Sequence, residues 1–153
     1  MLITLKMTIQ DQDFNLGVDV TMKACRIYRQ QFGRDIIKDM AEINRIVNPS
    51  LYDLVDISEI KVDGKTEDEV LQEVMKKAYP EYKKHEKTTV LDYQHTEQAS
   101  QIIWAFAKNA DESIPNYEDW IDSFDFILPV KEIITSLYDV WNKTAQPIIE
   151  IKN

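Results

Sequence analysis

Residues 3–20 alternate between apolar and polar. Ile3, Leu5, Met7 and Ile9 are apolar while Thr4, Lys6 and Thr8 are polar, and after Gln10-Asp11-Gln12-Asp13 the alternation resumes at Phe14, Leu16, Val18 and Val20. A period of two on both sides of a polar break predicts a β-hairpin with one buried face. An isolated hairpin is marginal in water, so that face needs other structure to rest on. From Ala24 the period lengthens: Ala24, Ile27, Tyr28 and Phe32 recur at helical spacing, and Gly33 stands where a left-handed C-cap belongs. Asp35 is placed to cap a second helix with the stripe Ile36, Met40, Ile43 and Val47, ended by Asn48-Pro49.

The middle of the chain is less regular. Leu51, Leu54, Val55 and Ser58 are compatible with a helix, and Asp63-Gly64 marks a turn. Thr66 and Glu69 have capping-box spacing ahead of Val70, Leu71, Val74, Met75 and Ala78. Pro80 predicts the end of that helix, because proline lacks an N–H and its ring clashes with the carbonyl four residues back. The polar stretch from Glu81 to Val90 then reads as an exposed connection.

The strongest helical period is Ala99, Ile102, Ile103, Phe106, Ala107 and Ala110. Trp104 lies about 130° from the centre of that stripe, so the helix has two apolar faces and requires neighbours on both. After Ile114-Pro115 a short helix places Tyr117, Trp120, Ile121 and Phe124 on one side and Glu118, Asp122 and Asp125 on the other. A last helix after Pro129 aligns Val130, Ile133, Ile134, Leu137 and Trp141, with Trp141 expected in the core. Pro147 ends it, leaving the tail IIEIKN to fray or to pair with a strand. The expected fold is mainly α (α+β): an N-terminal β-hairpin packed on a bundle of about five to seven helices, as one domain over residues 1–153.

Composition narrows the partners. Only 3 Gly and 5 Pro argue against a turn-rich sandwich or barrel. With 27 acidic against 18 basic residues, a net charge of −9, nucleic acid is a poor partner, and the basic run Lys83-Lys84-His85-Glu86-Lys87 reads as a solvated face. The single cysteine, Cys25, cannot form an internal disulfide; it fits a reducing compartment and a small buried hydrophobe. MLITLKMTIQ lacks the charged region, continuous apolar run and small-residue cleavage site of a signal peptide, and no run reaches the roughly 18 apolar residues of a membrane span, so no membrane is expected.

Reactive constellations are few. Asp11, Asp13 and Asn15 mimic the first ligands of an EF-hand, but Leu16 and Met22 occupy the glycine and bidentate-glutamate positions, so a polar turn is the better reading. His85 and His95, the only histidines, have no metal-ligand spacing, and no GxSxG, HExxH or phosphate-cradling loop is present. The carboxylate pairs Asp53 with Asp56 and Glu118 with Asp122 could do acid–base work only if burial raised one pKa. The expectation is a protein that is not an enzyme and has no metal or cofactor.

Three segments carry a likeness. The hairpin, KACRIYRQQFGRDI from Lys23 to Ile36, and IWAFAKNADESIPNYEDWIDSFDF from Ile103 to Phe126 together resemble the tail assembly chaperones of long-tailed phages and prophages of Gram-positive bacteria. The Trp-Ala-Phe-Ala-Lys core, the Ile-Pro turn and the downstream Trp and Phe carry most of it. About half of the chain is covered. The middle, about 51–90, matches nothing and can be read as an insertion.

The resemblance implies a small helical protein of the host cytoplasm, absent from the mature virion, that coats the tape measure protein until tube subunits polymerise around it. It also implies a longer form, made by ribosomal frameshifting, whose extension recruits the major tail tube protein. Trp104, Tyr117, Trp120 and Phe124 are the candidate client contacts, since aromatics supply most interface anchors. The alternative for each is that Trp104 sits between bundle neighbours and the short helix closes the core. Self-association stays open. A second functional reading is a small acidic regulatory or antitoxin-like protein that binds a basic partner, which salt would weaken steeply.

Overall fold

The computed structural model describes residues 1–50, 54–56, 58, 60–88 and 90–152. Two strands, β1 (Leu2–Ile9) and β2 (Gln12–Asp19), are followed by α1 (Met22–Phe32), α2 (Ile36–Val47), α3 (Glu67–Thr88), α4 (Tyr93–Ala110), α5 (Tyr117–Asp122) and α6 (Val130–Thr144). The fold is α+β, an antiparallel hairpin on a helical bundle.

Hairpin register follows the alternation. Ile3 pairs with Val18, Leu5 with Leu16 and Met7 with Phe14, so the apolar positions of both strands share one face. The turn is tighter than the polar tetrad suggests. Gln10 and Asp11 alone form it, with φ of 51° and 62°, the left-handed pair that matches a two-residue turn to the strand twist. On the buried face Leu16, Val18 and Val20 join the core, and β2 lies along α4.

Helix ends also follow local chemistry. Gly33 closes α1 at φ 69°, its N–H donating to the Arg29 carbonyl at 2.8 Å. The Asp35 carboxylate accepts from the N–H groups of Ile37 and Lys38 at the start of α2, and Asn116 accepts from Asp119 at the start of α5. Every residue from Ala99 to Ala107 is buried, which makes α4 the axis of the molecule: β2, α1, α2, α5 and α6 all pack on it. The amide of Asn109 ties its far end to the hairpin, donating to the Asp19 carbonyl and to the Thr21 hydroxyl, both at 2.8 Å.

Four expectations are corrected. Pro80 does not end α3, and the stretch read as an exposed connection continues the helix to Thr88. Helix-forming residues follow the proline, and the turn beyond it is held by tertiary structure: His85 Nε2 donates to the Ile46 carbonyl, at 2.7 Å, near the end of α2. On α3 only Val74 and Ala78 of the expected stripe are buried, whereas Leu71 and Met75 are exposed. Trp141 is half-buried, leaning on Phe106 with ring centroids 6.3 Å apart, because the last turn of α6 extends past the core. Cys25 is likewise half-buried rather than enclosed. Of the helix weighed between Leu51 and Ile60, residues 51–53, 57 and 59 lie outside the described residues. Residues 146–152 take no helix or strand, and Ile148, Ile149 and Ile151 are exposed.

Candidate functional site

The aromatic residues form two neighbouring groups around α5. Phe32 of α1 meets Trp104 and Tyr117 edge-on at 5.7 and 5.6 Å. Trp120 meets Phe124 edge-on at 4.8 Å, and Phe124 and Phe126 both pack against Phe14 of β2, at 5.7 and 5.1 Å. Each such pair contributes about 0.5–1.5 kcal/mol beyond the area it buries. The loop that brings α5 here is pinned from α4: Trp104 Nε1 donates to the Pro115 carbonyl at 3.0 Å, and the Lys108 ammonium donates to the carbonyls of Glu112 and Ile114. Asp111 folds the start of the loop, accepting from the Ser113 hydroxyl and N–H, and the hydroxyl bond first of all holds its carboxyl below the usual range.

The four sequence-predicted residues divide evenly. Trp104 at 3% exposure and Trp120 at 6% are enclosed by the chain's own helices, so in this conformation they serve the core and not the surface. Tyr117 and Phe124 are half-buried and reach the surface. Burial, and then the Glu97 carboxylate, push the Tyr117 phenol up. Next to Phe124 and the half-buried Phe126, Ile127 is 91% exposed. Glu118, Asp119, Asp122 and Asp125 are exposed.

A buried polar node escaped the sequence reading. The Tyr28 hydroxyl donates to Asp39 Oδ2 at 2.7 Å, and Arg34 Nε donates to the same oxygen at 3.0 Å. Arg34 Nη2 donates both to the Tyr28 oxygen, at 3.1 Å, and to the Gln101 side-chain carbonyl. Burial, and then the bond to Asp39, push the Tyr28 phenol far above its ordinary value. With the Asp39 oxygen satisfied twice and the arginine forked between partners, the node joins α1, α2 and α4 and offers no free base. Its sequence signal was Asp39 itself, a carboxylate falling on the buried stripe of α2 beside Met40, where a charge needs a partner.

Other titratable groups serve the packing. His95 bridges α4 to α2, with Nδ1 2.8 Å from Asp92 Oδ1 and Nε2 3.1 Å from Glu42 Oε1, and the bond to Glu42 foremost raises its pKa. Asp53 lies outside the described residues; Asp56 accepts from the Ser58 hydroxyl and N–H, which lowers its pKa, and Glu118 and Asp122 are in solvent. Cys25 is pushed up by burial and then by Asp35, away from the thiolate a nucleophile needs. Among the described residues no group of three or more His, Cys, Asp or Glu is arranged to hold a metal ion.

Comparison with known proteins finds no family model, no curated relative and no solved structure that matches the chain. Among the described residues no helix is long and apolar enough to cross a membrane.

Proposed function

We propose that the chain is a non-catalytic tail assembly chaperone that keeps the tape measure protein dispersed in the cytoplasm of a bacterial host. The reading rests on the segments Lys23–Ile36 and Ile103–Phe126, and one observation in the structure supports it best. The shoulder of Phe124, Phe126 and Phe14 is left partly open beside the exposed Ile127, on an otherwise acidic chain. An apolar helix laid against that shoulder covers it, and the net charge of −9 keeps coated complexes apart. Trp120 sets the rings in place from behind, and Trp104 anchors the loop that carries them. A longer frameshifted form would carry the part that recruits the tail tube protein.

Co-expression with the tape measure protein encoded in the same gene cluster tests the proposal. The expected result is a soluble complex that survives purification, lost in the double variant Phe124→Ser, Ile127→Asp while its far-UV circular dichroism is retained. A tape measure equally insoluble with and without the chain ends the reading. The regulatory alternative separates on salt: a complex with a basic partner held by the acidic surface dissociates as the Debye length shrinks toward about 3 Å at 1 M, whereas apolar coating persists.

A further inference from the structure

The hairpin has two outer edges, and they differ. Ile9 pairs with Gln12 across the two-residue turn, and at the open end the Val20 N–H donates to the Met1 carbonyl at 2.9 Å. In an antiparallel ladder the bonded pairs alternate, so the backbone groups of the odd residues of β1 are spent on β2. The N–H and C=O groups of Leu2, Thr4, Lys6 and Thr8 therefore point away from β2, about 6.8 Å apart from one residue to the next. Among the described residues no other hydrogen bond reaches them. On β2 the outward backbone belongs to Asp13, Asn15, Gly17 and Asp19, all poor strand formers, and the Asp19 carbonyl is taken by Asn109 of α4. β1 has no such closure. Its eight residues contain no proline, glycine or bulge, and Lys6 is the one charged side chain among them.

The apolar row is also unfinished on that side. Leu16, Val18 and Val20 of the inner side are 5%, 0% and 4% exposed, whereas Ile3, Leu5, Met7 and Ile9 are only half-buried. Open backbone groups at strand spacing, beside a half-covered apolar row, fit one class of ligand, an extended polypeptide. We propose that the β1 edge is a docking site for an extended segment of a partner protein, which adds to the hairpin as a third strand. Its backbone pairs with Leu2, Thr4, Lys6 and Thr8. Apolar side chains at alternate positions lie beside Ile3, Leu5 and Met7 and complete the row, and an acidic side chain on the other face meets Lys6. A two-stranded sheet is marginal and a third strand strengthens it, so docking also stiffens the hairpin. The surface is a different one from the Phe124 shoulder, and the inference stands independently of the chaperone reading.

Amide exchange followed by nuclear magnetic resonance tests it, with a synthetic peptide that alternates valine and threonine around one central glutamate, added to about 1 mM. The expected result is slower exchange at Leu2, Thr4, Lys6 and Thr8, with Ile3, Leu5 and Met7, already bonded to β2, slowed less. Thr4→Pro removes an outward N–H and sets a ring on the edge without touching a ladder bond, so it abolishes binding while near-UV circular dichroism stays native. Lys6→Glu weakens binding about fivefold by setting like charges opposite each other. The variant Phe124→Ser, Ile127→Asp binds as wild type does. The same peptide N-methylated at alternate residues, which removes the donors that face β1, does not bind. Exchange at the four outward amides that is unchanged by the peptide overturns the inference, and so does equal binding by the N-methylated peptide or by folded Thr4→Pro. An edge already protected in the free chain, with a gain in mass, also overturns it, because a second copy then occupies the site.

Discussion

α4 and α3 are the two longest helices, and they are held in opposite ways. α4 is buried from Ala99 to Ala107 on every face, with β2, α1, α2, α5 and α6 packed on it. α3 buries Val74 and Ala78, leaves Leu71, Met75 and Tyr79 in water, and contains a proline. The first owes its stability to tertiary packing and tolerates indifferent helix formers such as Trp104 and Phe106. The second relies more on local means: the Thr66 hydroxyl accepting from the Glu69 N–H at 3.2 Å and an acidic first turn favoured by the helix dipole, joined by the tertiary bond from His85 to the Ile46 carbonyl. A helix needs packing to be fixed in a core, and only propensity with a few anchors to extend along a surface.

Core truncation should show the contrast most strongly. Phe106→Ala is expected to lower stability by about 3–5 kcal/mol, whereas Met75→Ala on α3 stays within about 0.5 kcal/mol; urea denaturation measures both, and equal losses would mean that α3 is not peripheral. Next comes the polar node. Asp39→Ala leaves the Tyr28 hydroxyl and Arg34 without their shared acceptor, at a cost of about 2–3 kcal/mol, held to that range because the Arg34 side chain is 36% exposed. Asp39→Asn, which keeps an acceptor, should recover part of it. Pro80→Ala restores a missing helical N–H, and amide exchange across α3 should slow while α4 is unchanged.

The smallest effect is a pH dependence at the α2–α4 bridge. The Glu42 bond, foremost, raises the His95 pKa above its unfolded value of about 6.5. The stability this contributes is therefore complete below that unfolded value and is lost as pH rises through the folded one. Both partners are largely in solvent, so the change stays under about 1 kcal/mol, and His95→Gln should flatten it in urea titrations between pH 6 and 8.

Much of this fold was legible because the relevant signals are local. Ile3 to Val20 announced a hairpin by its period, Gly33 and Asp35 punctuated two helices, and Ala99 to Ala110 was recognisable as a core helix from its stripe. Pro80 misled because its local rule is a cost of about 3 kcal/mol, which neighbouring helix formers and the His85 bond offset. The candidate site was half legible. The segment carrying Trp104, Tyr117, Trp120 and Phe124 does gather at one place, but periodicity assigns a side chain to a face and not to its neighbour. Nothing in the order of residues revealed that Trp104 would close on Pro115 and Phe32 while Phe124 stayed half open.

Chain order by itself determined where most elements begin and end, because caps, turns and hydrophobic period act within about four residues. Tertiary structure alone decided which apolar faces are covered. It joined Tyr28, Arg34, Asp39 and Gln101 across three elements, and it left Arg26 and Arg29 of α1 exposed. Those outcomes depend on groups far apart in sequence meeting in a medium where a buried charge must find a partner and an exposed one need not.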